Sequence, residues 1–162
     1  MRLYLVRHGE ANPKQEDPDR HLTRAGAAEV CKMAAFLKAL DLEAAEVWHS
    51  TKTRARETAE LVAKAIKPRP VLRERQDLSP NDPIAHVESE VAYAEEDLMI
   101  VGHMPFLGKL AAALLTGDDH AEMIAFAAAG VVCLERFEER HWAIRWMIVP
   151  ELLAKCRRRA RP

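Results

Sequence analysis

Cysteine is scarce in this chain, with only Cys31, Cys133 and Cys156 among 162 residues. Three thiols at wide spacing suit neither a disulfide framework nor the paired CxxC clusters of zinc sites, so reduced thiols in a cytoplasmic protein are expected. A surplus of one charge is also lacking. Lys and Arg number 24 against 25 Asp and Glu, a formal net charge of −1, so no global basic field recruits nucleic acid. No apolar run approaches the about 18 residues needed to span a bilayer, and the apolar stretch before Arg7 is too short for a signal peptide. No membrane partner is expected. Aromatic residues make up 6% of the chain, and no repeat or low-complexity linker divides it.

What is present is enough apolar material for a core, 49% of residues, on a length typical of one domain. A single domain over residues 1–162 is the expectation, ending in a basic tail at about 155–162. That tail, Arg157-Arg158-Arg159-Ala160-Arg161, reads as a solvated end. The other basic cluster is internal, at Lys52-Thr53-Arg54-Ala55-Arg56.

Three apolar runs end in residues suited to phosphate. Leu3-Tyr4-Leu5-Val6 runs into Arg7-His8-Gly9, Glu46-Val47-Trp48-His49 breaks into Ser50-Thr51-Lys52-Thr53-Arg54, and Leu98-Met99-Ile100-Val101 ends in Gly102-His103-Met104-Pro105. Neutral imidazole is a good nucleophile toward phosphorus, and a guanidinium offers a planar fork to two phosphate oxygens. In open parallel α/β sheets ligands bind beyond the carboxyl ends of the strands, where residues distant in sequence meet. Arg7, His8, Arg54 and His103 are the group expected there. A metal triad of His8, His49 and His103 is the rival, opposed by two arginines beside a dication and by the lack of HxH or HxxxH spacing. No metal and no cofactor are expected.

The elements follow from periodicity and punctuation. Residues 12–20 form a loop, Thr23 caps a helix, and Val30, Met33, Ala34, Leu37 and Leu40 line its inner face. A second helix from about residue 53 turns Ala55, Thr58, Ala59, Val62 and Ile66 inward and is ended by Pro68. Asp82-Pro83 reads as a cap and first turn for a helix to about residue 95. Pro105 opens another, with Phe106, Leu107, Leu110, Ala111 and Leu114 inward and Thr116-Gly117 at its end. Residues 131–137 and 142–149 form an antiparallel hairpin across the turn 138–141. The fold class is α/β: three layers, α/β/α, with a mostly parallel central sheet and an antiparallel edge strand or hairpin.

With these motifs in order, the chain resembles the histidine phosphatase superfamily, the phosphoglycerate-mutase-like group, and is most similar to the compact SixA-type phosphohistidine phosphatases. The likeness runs to about residue 150, through the RHGEA opening, Arg20-His21-Leu22-Thr23-Arg24-Ala25-Gly26, the 50–58 segment with Arg54 in register, and Val101-Gly102-His103-Met104-Pro105. The resemblance implies that His8 takes the phosphoryl group, that Arg7 and Arg54 grip its oxygens and that His103 completes the pocket. It also implies that Arg20 flanks the substrate, and it makes Asp77, on the loop after Val71-Leu72, the nearest match to a general acid.

Related enzymes that act on small molecules carry longer insertions over the pocket, whereas here the stretch 71–82 is brief. The expected reaction is therefore phosphate removal from phosphohistidine on a protein, such as a phosphorelay domain, through a phospho-His8 intermediate. A phosphatase for a small phosphomonoester such as a sugar phosphate, and a non-catalytic domain that binds phosphoprotein, are the alternatives.

Overall fold

Hydrophobic alternation on the first strand sets up two apolar layers. In the computed structural model, which describes residues 1–121, 123–138 and 141–153, the elements run β1 (Arg2–Arg7), α1 (Arg24–Ala39), β2 (Glu46–Ser50), α2 (Thr53–Ala63), β3 (Val71–Arg75), a 3₁₀ turn (Gln76–Leu78), α3 (Ala85–Tyr93), β4 (Leu98–Gly102), α4 (Phe106–Thr116), β5 (Val131–Phe137) and β6 (His141–Ile148). Leu3 and Leu5 enter one apolar cluster and Tyr4 and Val6 the other, and β4 divides Leu98 and Ile100 from Met99 and Val101 in the same way. A strand that is apolar at every position is what a sheet covered on both faces requires.

The strand order is β3-β2-β4-β1-β5-β6. The first four strands are parallel, β5 runs antiparallel to β1, and β6 runs antiparallel to β5. The α/β class with its antiparallel hairpin is as expected. Helices α1 and α2 cover one face with Val30, Met33, Leu37, Ala59 and Val62. Helices α3 and α4 cover the other with Val87, Val91, Phe106, Leu107 and Leu110. Among the described residues no helix is long and apolar enough to cross a membrane.

Local chemistry fixes the helix ends. The Thr23 hydroxyl accepts the Gly26 N–H at 2.9 Å, and Gly117 at φ 77° ends α4 in the left-handed conformation that glycine adopts freely. Gly26 has a second constraint. A Cβ there would lie 2.1 Å from the Glu10 carbonyl oxygen, so only glycine lets α1 press against the loop that follows Gly9.

Some boundaries differ from the sequence expectation. Helix α3 starts at Ala85 because the Asp82 carboxylate turns back to accept the Ser79 N–H at 2.6 Å, closing the preceding turn instead of capping the helix. Helix α2 ends at Ala63, well short of Pro68. Leu40 follows the last residue of α1 and is 47% exposed, so it falls outside the buried face, and Leu114 is only partly buried. Residues 139–140 of the hairpin turn and the basic tail, with Cys156, lie outside the described residues.

Candidate active site

Register brings the motifs to one end of the sheet. Arg7 pairs with Gly102, so His8 and His103 leave adjacent strands together, and Ser50 closes β2 next to them. His8 is held by its backbone from both sides. Its N–H donates to the Gly102 carbonyl at 3.1 Å, and its carbonyl accepts the Ala129 N–H at 3.2 Å.

The ring of His8 has one assignable tautomer. Nδ1 lies 2.7 Å from the Gly9 carbonyl, which only accepts, while Nε2 lies 3.1 Å from Arg54 Nε, whose hydrogen is only donated. Nδ1 therefore carries the hydrogen and Nε2 holds a bare lone pair. Burial, reinforced by the cations of Arg54, Arg7 and Arg20 and opposed by the Gly9 carbonyl, lowers the His8 pKa to about 4. Neutral imidazole is thus the resting form near pH 7, as nucleophilic chemistry needs.

His103 packs its ring against that of His8, with centroids 4.9 Å apart. Burial first, and then His8, Arg54 and Lys52, push its pKa down to about 3. Its Nε2 lies 2.9 Å from Ser50 Oγ, while its Nδ1 is buried without a partner. Arg7 shows the same pattern. Nη1 donates to the Phe126 carbonyl at 2.7 Å, and Nε is buried without a partner. Among the described residues these two nitrogens are the only buried side-chain polar atoms left unpaired. Natural interiors seldom leave such atoms unmatched, so two of them at neighbouring strand ends set this end of the sheet apart.

Arg54 lies in the first turn of α2, where free amides and the helix dipole also favour negative charge. Burial and the nearby Arg20 lower its pKa. One hydroxyl ties this helix to the His8 loop: Thr58 Oγ1 accepts the Gly9 N–H at 3.1 Å and donates to the Arg54 carbonyl at 2.7 Å. Arg20, at φ 54°, donates from Nε to the Asn12 carbonyl at 3.0 Å. Together with Lys14, Thr51, Lys52 and Arg54 it lines a cleft of about 420 Å³. A second cavity of about 530 Å³, lined by Met104, Lys109, His120, Met123 and Ile124 among others, lies on the α4 side.

Asp77 makes its hydrogen bonds outside this group. Its carboxylate accepts two hydrogen bonds from Arg75, at 2.9 and 2.6 Å, and contacts His86 Nδ1 at 2.8 Å. Arg75 is further fixed by Glu90 and stacks 4.4 Å above the Trp48 ring. These contacts, the Arg75 hydrogen bonds foremost, hold the Asp77 pKa at about 2. A carboxylate so placed carries no proton to donate near neutral pH. Among the described residues, no carboxylate is hydrogen-bonded to Arg7, His8, Arg54 or His103.

His49 also turns away. Alternation sets it on the opposite face of β2 from Ser50, and its Nδ1 is matched by the Ser50 carbonyl at 3.0 Å. Among the described residues no three potential metal ligands cluster. Ser50 and Thr58 are the contributors that motif reading passed over. The available signal was Thr58 itself, a hydroxyl on an inward helix face that is otherwise apolar.

The depressed histidines bear on stability. As pH falls, the unfolded chain protonates His8 near 6.5 while the folded protein resists until about 4, so the native state loses stability across that window. The exposed His21–Glu57 pair raises the His21 pKa and works in the opposite sense. The expected result is a smaller drop in urea midpoint between pH 7 and pH 5 for His8→Asn than for the unaltered protein. Equal drops would mean that His8 titrates normally.

Comparison with known proteins agrees with this fold. The family model of the histidine phosphatase superfamily (branch 1) matches residues 3–77. An uncharacterized protein of Picosynechococcus sp. is 36% identical over 126 residues, covering 73% of this chain and 75% of that one. The protein histidine phosphatase SixA, solved with tungstate, superposes with a TM-score of 0.82 at 24% identity, over 94% of this chain and 99% of that one. The alpha-ribazole phosphatase of Shigella flexneri superposes with a TM-score of 0.71 at 17% identity, over 93% of this chain and 97% of that one. At such identities the two structures share the fold, while the family model carries the lineage: over residues 3–77 the chain belongs to the histidine phosphatase superfamily (branch 1).

Proposed function

We propose that the protein is a phosphatase that removes the phosphoryl group from phosphohistidine on a protein, with His8 as nucleophile. The observation that carries this reading is the unprotonated Nε2 of a neutral His8, whose Nδ1–H is fixed by the Gly9 carbonyl, with Arg54 on Nε2 and the His103 ring packed against it. Nε2 attacks phosphorus, and the bond from phosphorus to the leaving imidazole breaks. Arg7, Arg54 and His103 stabilise the charge spread over the equatorial oxygens, which is most of what phosphoryl transfer asks of a protein. Water then attacks phospho-His8, releasing inorganic phosphate and restoring the imidazole.

The engagement of Asp77 with Arg75 favours a P–N substrate. An alkoxide leaving group needs a proton at the moment of cleavage, whereas a phosphorylated imidazole can be protonated on its free nitrogen beforehand and leave neutral. Phosphorylated protein is thus the proposed partner. A small phosphomonoester is the second reading, favoured by the fold shared with an alpha-ribazole phosphatase.

The test is to follow phosphate release from a phosphohistidine-bearing domain and from sugar phosphates. Faster release from the domain is expected. Release from sugar phosphates alone defeats the substrate assignment, and release from neither favours a domain that only binds phosphoprotein.

A further inference from the structure

We propose that Ser50 is a positioning residue whose hydroxyl donates to His103 Nε2 and so fixes the ring hydrogen of His103 on Nδ1, making that nitrogen a donor toward the bound phosphoryl group. This rests on the phosphatase reading above, but the hydrogen assignment can be measured separately from it.

Counting hydrogens decides the direction of the bond. Ser50 is fully buried, its Oγ lies 2.9 Å from His103 Nε2, and the same oxygen accepts the Lys52 N–H at 3.3 Å. No other partner of this hydroxyl occurs among the described residues. Suppose first that Nε2 carried the hydrogen and donated it to Oγ. The serine hydrogen would then be buried with no acceptor, and His103 Nδ1 would be a buried lone pair with no donor.

The reverse direction leaves a single unmatched group. Ser50 gives its hydrogen to Nε2 and keeps a lone pair for Lys52, so only the Nδ1–H of His103 lacks a partner. That N–H belongs to the strand end register-paired with Arg7, whose Nε–H is the other unmatched group. Arg7 Nε–H and His103 Nδ1–H are then both spare donors at neighbouring strand ends, suited to the oxyanion of the proposed substrate, whereas a bare Nδ1 would offer its oxygens only a lone pair. The hydroxyl at the end of β2 therefore decides whether the imidazole at the end of β4 attracts or repels the substrate. It does so without touching the reacting atoms, in the way outer hydrogen bonds orient and tune an inner ligand.

Long-range ¹H–¹⁵N spectra of the imidazoles at neutral pH test this on the unaltered protein. The expected result is a His103 ring with a protonated Nδ1 and a pyridine-type Nε2. A protonated Nε2 overturns the proposal. In Ser50→Ala the preference for one tautomer is expected to disappear and kcat to fall about 10²-fold with little change in KM, and Ser50→Thr, which keeps the hydroxyl, is expected to restore both. Unchanged spectra and kcat in Ser50→Ala also overturn it. An unaltered protein that shows the Nδ1–H signature yet turns over no phosphorylated substrate defeats the phosphatase reading alone, and leaves the hydrogen assignment standing.

Discussion

His8→Ala is expected to lower turnover by at least about 10⁴-fold, into the range of undetectable release. Alanine offers no atom to carry the phosphoryl group, so the two-step route closes entirely. Binding should survive. Arg7 and His103 keep their unpaired nitrogens, and Arg54, released from His8 Nε2, is free to turn its Nε–H toward the anion. Inorganic phosphate should thus bind the variant at least as well as the unaltered protein. Rapid quenching with labelled substrate separates the possibilities: the unaltered protein traps an acid-labile, alkali-stable adduct on His8, and the variant traps none. Turnover within tenfold of the unaltered protein would remove His8 from the mechanism.

Arg54→Ala is expected to cost about 10²- to 10³-fold in kcat/KM, or about 2 to 4 kcal/mol of transition-state stabilisation. Two effects of opposite sign meet at this residue. Removing the guanidinium frees the lone pair of His8 from the 3.1 Å hydrogen bond that occupies it, which by itself favours attack. Losing a charged fork from the phosphoryl oxygens outweighs that gain and decides the outcome. Arg54→Lys should recover little, because an ammonium cannot span two oxygens in one plane. A second reading comes from the same variant. Burial dominates the depression of His8, but the Arg54 cation adds to it, so the His8 titration followed by NMR should move upward from about 4. Wild-type kinetics with an unmoved titration would place Arg54 outside the site.

Residues whose role follows from position at a strand end were legible in the sequence. An apolar run of fixed hand and period delivers whatever follows it to the sheet's carboxyl end, and that alone brought Arg7, His8 and His103 to adjacent positions. Residues whose role depends on a particular bond were not legible. The acceptor for His8 Nδ1 is the carbonyl of the very next residue, a matter of backbone torsion that no side-chain pattern records. Ser50 and Thr58 were visible as part of a segment, yet their hydroxyls have meaning only once β2, β4 and the Gly9 loop are side by side.

Asp77 shows the opposite difficulty. Loop position nominated it, but Arg75, two residues earlier, wraps onto the same carboxylate through the 3₁₀ turn, and Glu90 and Trp48 hold that arginine in place. Arg20 stands between these cases. Its sequence segment brought it to the rim of the cleft beside Arg54, and its positive φ and its bond to Asn12 fix the angle at which it arrives.

The first strand sits in the middle of the sheet, and both of its neighbours are far downstream. Leu3 pairs with Leu98 on one side and with Leu134 on the other. A growing chain therefore makes its RHG segment well before β4 and β5, the strands that seat it, have followed. Such distant pairings close slowly, so catalytic competence should arrive last in folding, in one step with completion of the sheet, and a shorter piece of the chain would carry the signature residues without the crevice.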